Sequence, residues 1–194
     1  MKKIILGSGS PRRKELLALI TPEYTVQSAD ADETLAPGTP PIEAVEQLSR
    51  LKADAVWALH PSERENLAVI GADTIVFIDG QILGKPHSHE EAVAMIRRLS
   101  GRTHVVCTGV TVITAEQSVT FHQQTEVKFY ALSEREIEWY CSLAEPYDKA
   151  GAYGIQGAGA VLIEGINGDY FNVMGLPVAK LARALRALSV LPEV

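Results

Sequence analysis

Near its start the chain reads KIILGSGSPRRKELLALI over residues 3–20. An apolar run, then small residues, then an amphipathic segment predict a strand over 3–7, a tight turn and a helix over 11–20. Ser10 suits the N-cap of that helix, and Pro11 suits its first turn because the missing N–H would have no partner there. This strand–turn–helix unit begins the alternation of strands and helices from which the fold class follows.

The same alternation continues along the chain. Further helices are expected at about 41–59, 88–99, 133–143 and 177–188, and further strands at about 24–28, 67–78, 81–83, 104–114, 118–130, 160–164 and 169–173. Because no shift of composition marks a boundary, we expect a single α/β domain over residues 1–194, with a mixed twisted sheet and flanking helices. The acidic loop near 30–40 and the loop after Pro146 are the expected edges of a cleft.

Composition narrows the class of protein. The chain has 194 residues, 46% of them hydrophobic, which is enough to bury a full core. Its net charge of −6 argues against binding to nucleic-acid polymers or anionic membranes, and no apolar run is long enough to span a bilayer. Cys107 and Cys141 are too few for a disulfide framework. We therefore expect a cytoplasmic protein.

The turn after the first strand is a candidate anion site. The start of a helix exposes unpaired N–H groups and the positive end of the helix dipole. Arg12 and Arg13 add fixed positive charge whose forked donors match phosphate oxygens. The alternative is an ordinary strand-to-helix turn with two solvated arginines, since the segment contains no Walker A motif.

Lys52 lies on the expected helix over 41–59, near the middle of an apolar stripe. The stripe consists of Ile42, Val45, Leu48, Leu51, Ala55, Val56 and Leu59. A lysine at such a position either extends its stem to reach water or meets an anion. The candidate anion site in the turn after the first strand favours the second interpretation.

Carboxylates mark two further positions. Asp73 lies within the apolar run 69–76, where a carboxylate is expected to be paired, metal-bound or catalytic, unless the strand kinks to the surface there. Asp30, Asp32 and Glu33 form either a solvated acidic loop or a partial ligand set for Mg²⁺, which takes one or two carboxylates together with water and phosphate.

The segment 148–157, DKAGAYGIQG, is too rich in glycine for regular structure. It is either a loop that needs positive φ angles or a place where the backbone approaches a flat ligand. In the second case Tyr153 would stack on the ligand. The Gln156 amide would match a base edge that carries one donor beside one acceptor.

Short motifs recur in order from about Ile4 to the last helix. They are Ser-x-Ser-Pro-Arg-Arg at 8–13, Glu33, Lys52-Ala53, Gly71-Ala72-Asp73-Thr74, Lys85-Pro86, Leu99-Ser100-Gly101 and the segment 148–157. Their order resembles the Maf family of nucleoside triphosphate pyrophosphatases, historically called septum formation inhibitors. Gln47 and Leu51 depart from the arginine and glutamate that many relatives carry.

The resemblance implies a fold like that of inosine triphosphatases, with two lobes around a cleft, and a homodimer. It also implies hydrolysis of a nucleoside triphosphate to the monophosphate and pyrophosphate with a divalent cation, Mg²⁺ or Mn²⁺. The segment 148–157 resembles the dTTP/UTP branch, which makes dTTP, UTP and modified uridine triphosphates the expected substrates, whereas the 7-methyl-GTP branch differs there. The expected roles are prevention of modified-nucleotide incorporation and arrest of cell division.

By motif position, the resemblance also assigns roles to individual residues. Asp73 matches the proton acceptor of the family, and the positions tied to substrate choice are Arg12, Thr74 and Gln156. We further expect Ser8, Ser10, Arg12 and Arg13 to hold the triphosphate, and Lys52 and Lys85 to meet developing negative charge. A metal would be held by Glu33 or Asp73.

Two other classes of function remain open from the sequence. One is a phosphatase that uses Asp73 as a covalent nucleophile, although the Asp-x-Asp spacing expected of such enzymes is absent at 73–75. The other is a nucleotide-binding regulator of septum formation without catalytic activity. Its mark would be tight nucleotide binding with negligible turnover.

Overall fold

The computed structural model describes residues 2–193, in which strands and helices alternate. The strands are β1 (Lys3–Leu6), β2 (Thr25–Val26), β3 (Leu67–Ile78), β4 (Gln81–Leu83), β5 (Thr103–Ile113), β6 (Ser118–Phe129) and β7 (Ile163–Asn167). The helices are α1 (Pro11–Ala18), α2 (Pro41–Ala58), α3 (His89–Leu99), α4 (Glu134–Cys141), α5 (Tyr170–Met174) and α6 (Val178–Ala187). Short 3₁₀ turns cover Arg64–Asn66, Glu145–Asp148, Ala150–Ala152 and Ala158–Leu162.

The seven strands form one sheet in the order β2-β1-β3-β5-β6-β7, and β4 pairs with β3. Strand β1 is parallel to both β2 and β3, whereas β4 is antiparallel to β3 and β7 is antiparallel to β6. The predicted α/β class, with a mixed sheet and flanking helices, is confirmed. No helix among residues 2–193 combines the length and the apolar character that a membrane span requires.

The chain divides into two compact units. The first contains the chain up to Asp73, Thr108–Gln123 and the chain from Gly175 onward. The second contains Thr74–Cys107 and Gln124–Met174. Three of the four boundaries fall inside β3, β5 and β6, and the fourth follows the end of α5. The expectation of one functional domain with two lobes around a cleft stays a prediction.

In the first unit, helix α2 packs directly on the backbone of the sheet. A Cβ added at Gly71 of β3 would lie 2.6 Å from the backbone N of Ala53, and one at Gly109 of β5 would lie 2.6 Å from the carbonyl carbon of Val45. The buried face of α2 therefore consists largely of small residues: Ala44, Val45, Leu48, Ser49, Ala53 and Val56. The predicted stripe was right at Val45, Leu48 and Val56, which are buried, and wrong at Ile42, Leu51 and Leu59, which are exposed. The helix packs through small side chains that face glycines of the strands. The helical wheel, in contrast, favours larger apolar side chains.

Local sequence signals in the second unit are confirmed. Asp79 and Gly80 both have positive φ (53° and 74°), as a tight hairpin turn between β3 and β4 requires. Ser133 and Glu136 form the predicted capping box at the start of α4. These signals could be identified because each bond involves residues no more than three positions apart.

Two strand predictions near the end of the second unit were wrong. The strand expected at 160–164 begins only at Ile163, after a 3₁₀ turn, and the strand expected at 169–173 is helix α5. Helix α5 begins where the Asp169 carboxylate accepts the Phe171 N–H at 2.8 Å. The Asn172 amide is buried and donates to Val106 O (3.0 Å) and Thr125 Oγ1 (2.9 Å). These tertiary bonds outweigh the strand propensity of the aromatic residues.

Candidate functional site

A lysine between two carboxylates forms the centre of the candidate site. Lys52 Nζ lies 2.5 Å from Asp73 Oδ1 and 3.2 Å from Glu33 Oε2. The side chain of Lys52 is 20% exposed, that of Asp73 is 14% exposed and that of Glu33 is 52% exposed. The cluster is thus partly desolvated, which strengthens charge interactions, yet it remains open to solvent on the Glu33 side.

The packing of α2 on β3 explains why Lys52 reaches Asp73. Ala53 presses against Gly71, which places the neighbouring Lys52 beside the strand position two residues after that glycine. Strand β3 continues through Asp73 without interruption, so the alternative of a kink at Asp73 is wrong. The sequence left two alternatives for Lys52, a stem extended to water or contact with an anion. The structure shows the contact, and the anions are carboxylates of the protein.

The acidic loop contributes one residue to this cluster. Glu33 reaches Lys52, whereas Asp32 accepts the Thr34 N–H at 3.0 Å in a local turn. The hydrogen bonds from Thr34 lower the pKa of Asp32. Asp30 is exposed. One of the three carboxylates thus meets a cation of the protein, and the role of the loop as a partial ligand set for Mg²⁺ stays a prediction.

The turn after β1 is braced by Arg13. Ser10 caps α1 as predicted, with its Oγ accepting the Arg13 N–H at 3.5 Å. Ser8 Oγ accepts from the Ser10 N–H (3.3 Å) and from Arg13 Nη1 (3.1 Å), and Arg13 Nε donates to Gly175 O at 2.9 Å. Burial lowers the pKa of Arg13. Arg13 and Ser8 thus hold each other, and the role predicted for them at a triphosphate stays a prediction, as it does for Arg12 and Ser10.

The Glu33–Asp73 pair fits a divalent cation. Both carboxylates already hold one cation, the Lys52 ammonium group, within 3.2 Å. Two carboxylates completed by water and phosphate oxygens are the ligand set that Mg²⁺ commonly takes. Among residues 2–193 no group of three or more His, Cys, Asp or Glu side chains is arranged to hold a metal.

The remaining predicted site residues belong to the second unit. Thr74 is half-buried on β3, and Lys85 is exposed just after β4. Gln156 is exposed between the 3₁₀ turns Ala150–Ala152 and Ala158–Leu162. Their participation in one site with Lys52 and Asp73 stays a prediction.

Tyr153 is not placed to stack on a ligand, and that prediction was wrong. The ring is buried against Phe129, with 4.8 Å between ring centroids, and its hydroxyl lies 2.7 Å from His104 Nε2. Burial raises the pKa of Tyr153 and lowers the pKa of His104 to about 4. Tyr153 therefore anchors the glycine-rich segment in the core of the second unit. The alternation along β5, which puts His104 on a buried face, was the available signal for this pair.

Glu145 is a further residue that sequence reasoning missed. Its carboxylate accepts the backbone N–H groups of Ala158 and Gly159, just after Gln156. The residues lie 13 and 14 positions apart and share no motif spacing, so the sequence carried no signal for these bonds.

The family model described as "Maf-like protein" matches residues 3–188. A dTTP/UTP pyrophosphatase of Bacillus mycoides (strain KBAB4) is 49% identical over 96% of this chain and 95% of its own length. A dTTP/UTP pyrophosphatase of Bacillus velezensis is 50% identical over 97% of this chain and 98% of its own length.

Two solved structures are similar at a lower level. The Staphylococcus aureus Ham1 protein has 17% identity and a TM-score of 0.48, covering 66% of this chain and 72% of its own. A nucleoside-triphosphatase / dITP/XTP pyrophosphatase from Mycobacterium abscessus has 16% identity and a TM-score of 0.47, covering 98% of this chain and all of its own.

Proposed function

The chain belongs to the Maf family, and from this premise we propose that it is a nucleoside triphosphate pyrophosphatase. Its substrates are dTTP, UTP and modified uridine triphosphates, which it converts to the monophosphate and pyrophosphate. The observation that carries the proposal is 49–50% identity to dTTP/UTP pyrophosphatases over nearly the whole chain. The Lys52–Asp73–Glu33 cluster supplies groups that suit this hydrolysis.

Asp73 accepts the proton of the attacking water in this proposal. The water oxygen forms a bond to phosphorus, the bridge between the α and β phosphates breaks, and the pyrophosphate leaves with the electron pair of that bridge. Lys52 contacts Oδ1 of Asp73, so we assign proton acceptance to Oδ2.

Lys52 has two tasks. Before substrate binds, it keeps the two carboxylates together and compensates part of their charge. When a triphosphate arrives, the flexible ammonium group can turn toward the negative charge that develops on the leaving pyrophosphate. Lys85 is assigned the same electrostatic task.

Glu33 and Asp73 are the residues that would hold a Mg²⁺ or Mn²⁺ ion. A divalent cation bound there would neutralise phosphate charge and lower the pKa of the attacking water. Asp73 would keep one carboxylate oxygen for proton transfer.

Phosphate and base are assigned to different segments. The start of α1, with Ser8, Ser10, Arg12 and Arg13, is assigned to the triphosphate because it presents N–H groups and positive charge. Gln156 donates to O4 and accepts from N3–H of uracil or thymine, and Thr74 contributes to substrate choice with Arg12. Cytosine presents the reverse pattern and leaves that pair of bonds unsatisfied.

The physiological form is proposed to be a cytoplasmic homodimer.

The test is a panel of nucleoside triphosphates assayed with Mg²⁺ and with Mn²⁺, with separate detection of pyrophosphate and inorganic phosphate. We expect one pyrophosphate per monophosphate from dTTP and UTP, little turnover of CTP, and loss of turnover with a chelator. Direct release of inorganic phosphate from dTTP would support the covalent phosphatase. Tight binding without turnover would support the septum regulator, and a preference for 7-methyl-GTP would support the other branch of the family.

A further inference from the structure

The loop that carries Gln156 has little regular backbone hydrogen bonding. It runs from Tyr153 to Gly157 between two short 3₁₀ turns, and Gln156 is exposed in it. The Gln156 amide can make two bonds to a base edge only if its backbone lies at the right distance from that base. Selectivity therefore requires that something hold this backbone in one position.

The carboxylate of Glu145 holds the loop on the far side of Gln156. Its Oε2 accepts the Ala158 N–H at 2.7 Å, and its Oε1 accepts the Gly159 N–H at 3.1 Å. These are the first N–H groups of the 3₁₀ turn Ala158–Leu162, whose own N-cap residue, Gly157, makes no side-chain cap bond. Glu145 thus caps this turn from 13 positions away.

Tyr140 holds the near side of Gln156. Its hydroxyl accepts the Gly154 N–H at 3.3 Å and donates to Glu145 Oε1 at 3.1 Å. Tyr140 is fully buried in α4, so its hydroxyl is a fixed point. One connected pair of side chains therefore contacts the backbone both before and after Gln156.

Two glycines of the segment allow Glu145 and Tyr140 to lie close to its backbone. A Cβ on Gly157 would lie 2.6 Å from the Glu145 carboxyl carbon, and one on Gly159 would lie 2.9 Å from the Tyr140 hydroxyl. Gly157 has a negative φ of −100°, so its lack of a side chain is explained by space and not by backbone conformation. The predicted need for positive φ is met at Gly151.

Glu145 is itself held as an anion. Burial alone would raise the pKa of Glu145, but the hydrogen bonds from the N–H groups of Gly159 and Ala158 and from Tyr140 outweigh burial and lower the pKa. Lys149 Nζ donates to the Glu145 carbonyl oxygen at 3.0 Å. A carboxylate that accepts two N–H bonds and one hydroxyl bond is a stronger clamp than a neutral group would be.

We propose that Glu145 and Tyr140 are positioning residues that set where Gln156 meets the base, and so control which nucleoside triphosphate is accepted. The inference rests on the proposed function, because it explains how Gln156 is held in place to select the base in that same site. Neither residue contacts the reacting phosphates in this proposal. Their loss changes selectivity and KM more than it changes kcat.

The main test compares Glu145→Gln with Glu164→Gln. The first variant replaces one acceptor oxygen by an NH₂ group that faces a backbone N–H, so one loop bond is lost and the other remains. The second makes the same chemical change on β7, where Glu164 pairs with Lys128 at 2.9 Å. We expect Glu145→Gln to lower the ratio of kcat/KM for UTP to that for CTP about tenfold, mainly through KM. Glu164→Gln should leave the ratio unchanged.

A double-mutant cycle separates positioning from general damage to the protein. If Glu145 acts through Gln156, adding Glu145→Gln to Gln156→Ala should change the UTP/CTP ratio by less than twofold. Tyr140→Phe is a second variant, which removes the hydroxyl but keeps the buried ring. It should lower the ratio in the same direction by a smaller factor.

Hydrogen–deuterium exchange gives a readout that needs no catalysis. The amides of Gly154, Ala158 and Gly159 should exchange faster in Glu145→Gln than in Glu164→Gln, with the rest of the second unit unchanged. Equal exchange in the two variants, or an equal fall in kcat/KM for UTP and CTP, would overturn the positioning role. If the wild-type protein released no pyrophosphate from pyrimidine triphosphates, the proposed function would fail, while the exchange experiment would still decide whether Glu145 holds the loop.

Discussion

The charged cluster of the first unit and the Gln156 loop of the second place functional side chains in opposite ways. Asp73 and Lys52 stand on a long strand and a long helix, and small residues bring those two elements together. Gln156 stands on a segment without regular structure, fixed by the side chains of Glu145 and Tyr140. Regular elements fix the residues proposed for bond cleavage, and side-chain bonds to backbone fix the residue proposed to recognise the base.

This difference predicts how substitutions divide. Changes in the charged cluster should reduce the rate for every substrate, since all triphosphates share the bond that breaks. Changes around the Gln156 loop should alter the choice among bases.

Asp73→Asn should have the largest effect. The amide cannot accept the proton of the attacking water, so we expect kcat for dTTP and UTP to fall about 10³-fold while nucleotide binding by calorimetry stays close to wild type. Asp54→Asn is the matched control, because Asp54 is an exposed carboxylate on α2. Near-normal turnover in Asp73→Asn would remove Asp73 from the chemistry. A change in the UTP/CTP ratio without a loss of rate would break the division itself.

Gly71→Ala tests the support beneath Asp73 and Lys52. The new Cβ would lie 2.6 Å from the Ala53 backbone N, so α2 must move away from β3. We expect the free energy of unfolding in urea to fall by about 3 kcal/mol. Gly165→Ala on β7 is the control, since its Cβ would meet no atom within 4 Å. Equal stability of the two variants would show that the helix does not rest on the strand backbone.

The His104–Tyr153 pair at the start of the Gln156 loop predicts a pH dependence of stability. Burial holds the pKa of His104 at about 4, below its ordinary 6.5. As the pH falls through 6.5, His104 takes up a proton in the unfolded chain but not in the folded chain. The free energy of unfolding is therefore highest above pH 6.5 and declines as the pH falls toward 4. Lowering the pH from 7 to 5 should therefore reduce the free energy of unfolding by about 2 kcal/mol through His104 alone.

The measurement is urea unfolding of wild type and His104→Gln at pH 7 and at pH 5. The variant should be less stable at pH 7 but should lose about 2 kcal/mol less than wild type on going to pH 5. If His104→Gln and wild type lost stability in parallel, His104 would not be the titrating group.

Much of the fold could be predicted because its signals are local. The Ser10 cap, the Asp79-Gly80 turn and the Ser133–Glu136 box each depend on residues within three positions, and the structure has all of them. Periodicity likewise located β3, α2 and the hairpin of β5 and β6. Prediction failed at α5, where the buried amide of Asn172 bonds to residues 47 and 66 positions away.

The family, the α/β class and the residues that carry charge or an amide at the motif positions follow from the order of amino acids alone. What those residues touch depends on how the chain packs. Lys52 meets Asp73 across 21 positions, Tyr153 is buried against His104 across 49, and Glu145 caps the loop beyond Gln156 across 13. Caps and periodicity act through neighbouring residues, whereas an ion pair or a remote cap exists only after packing has brought distant segments within hydrogen-bond distance.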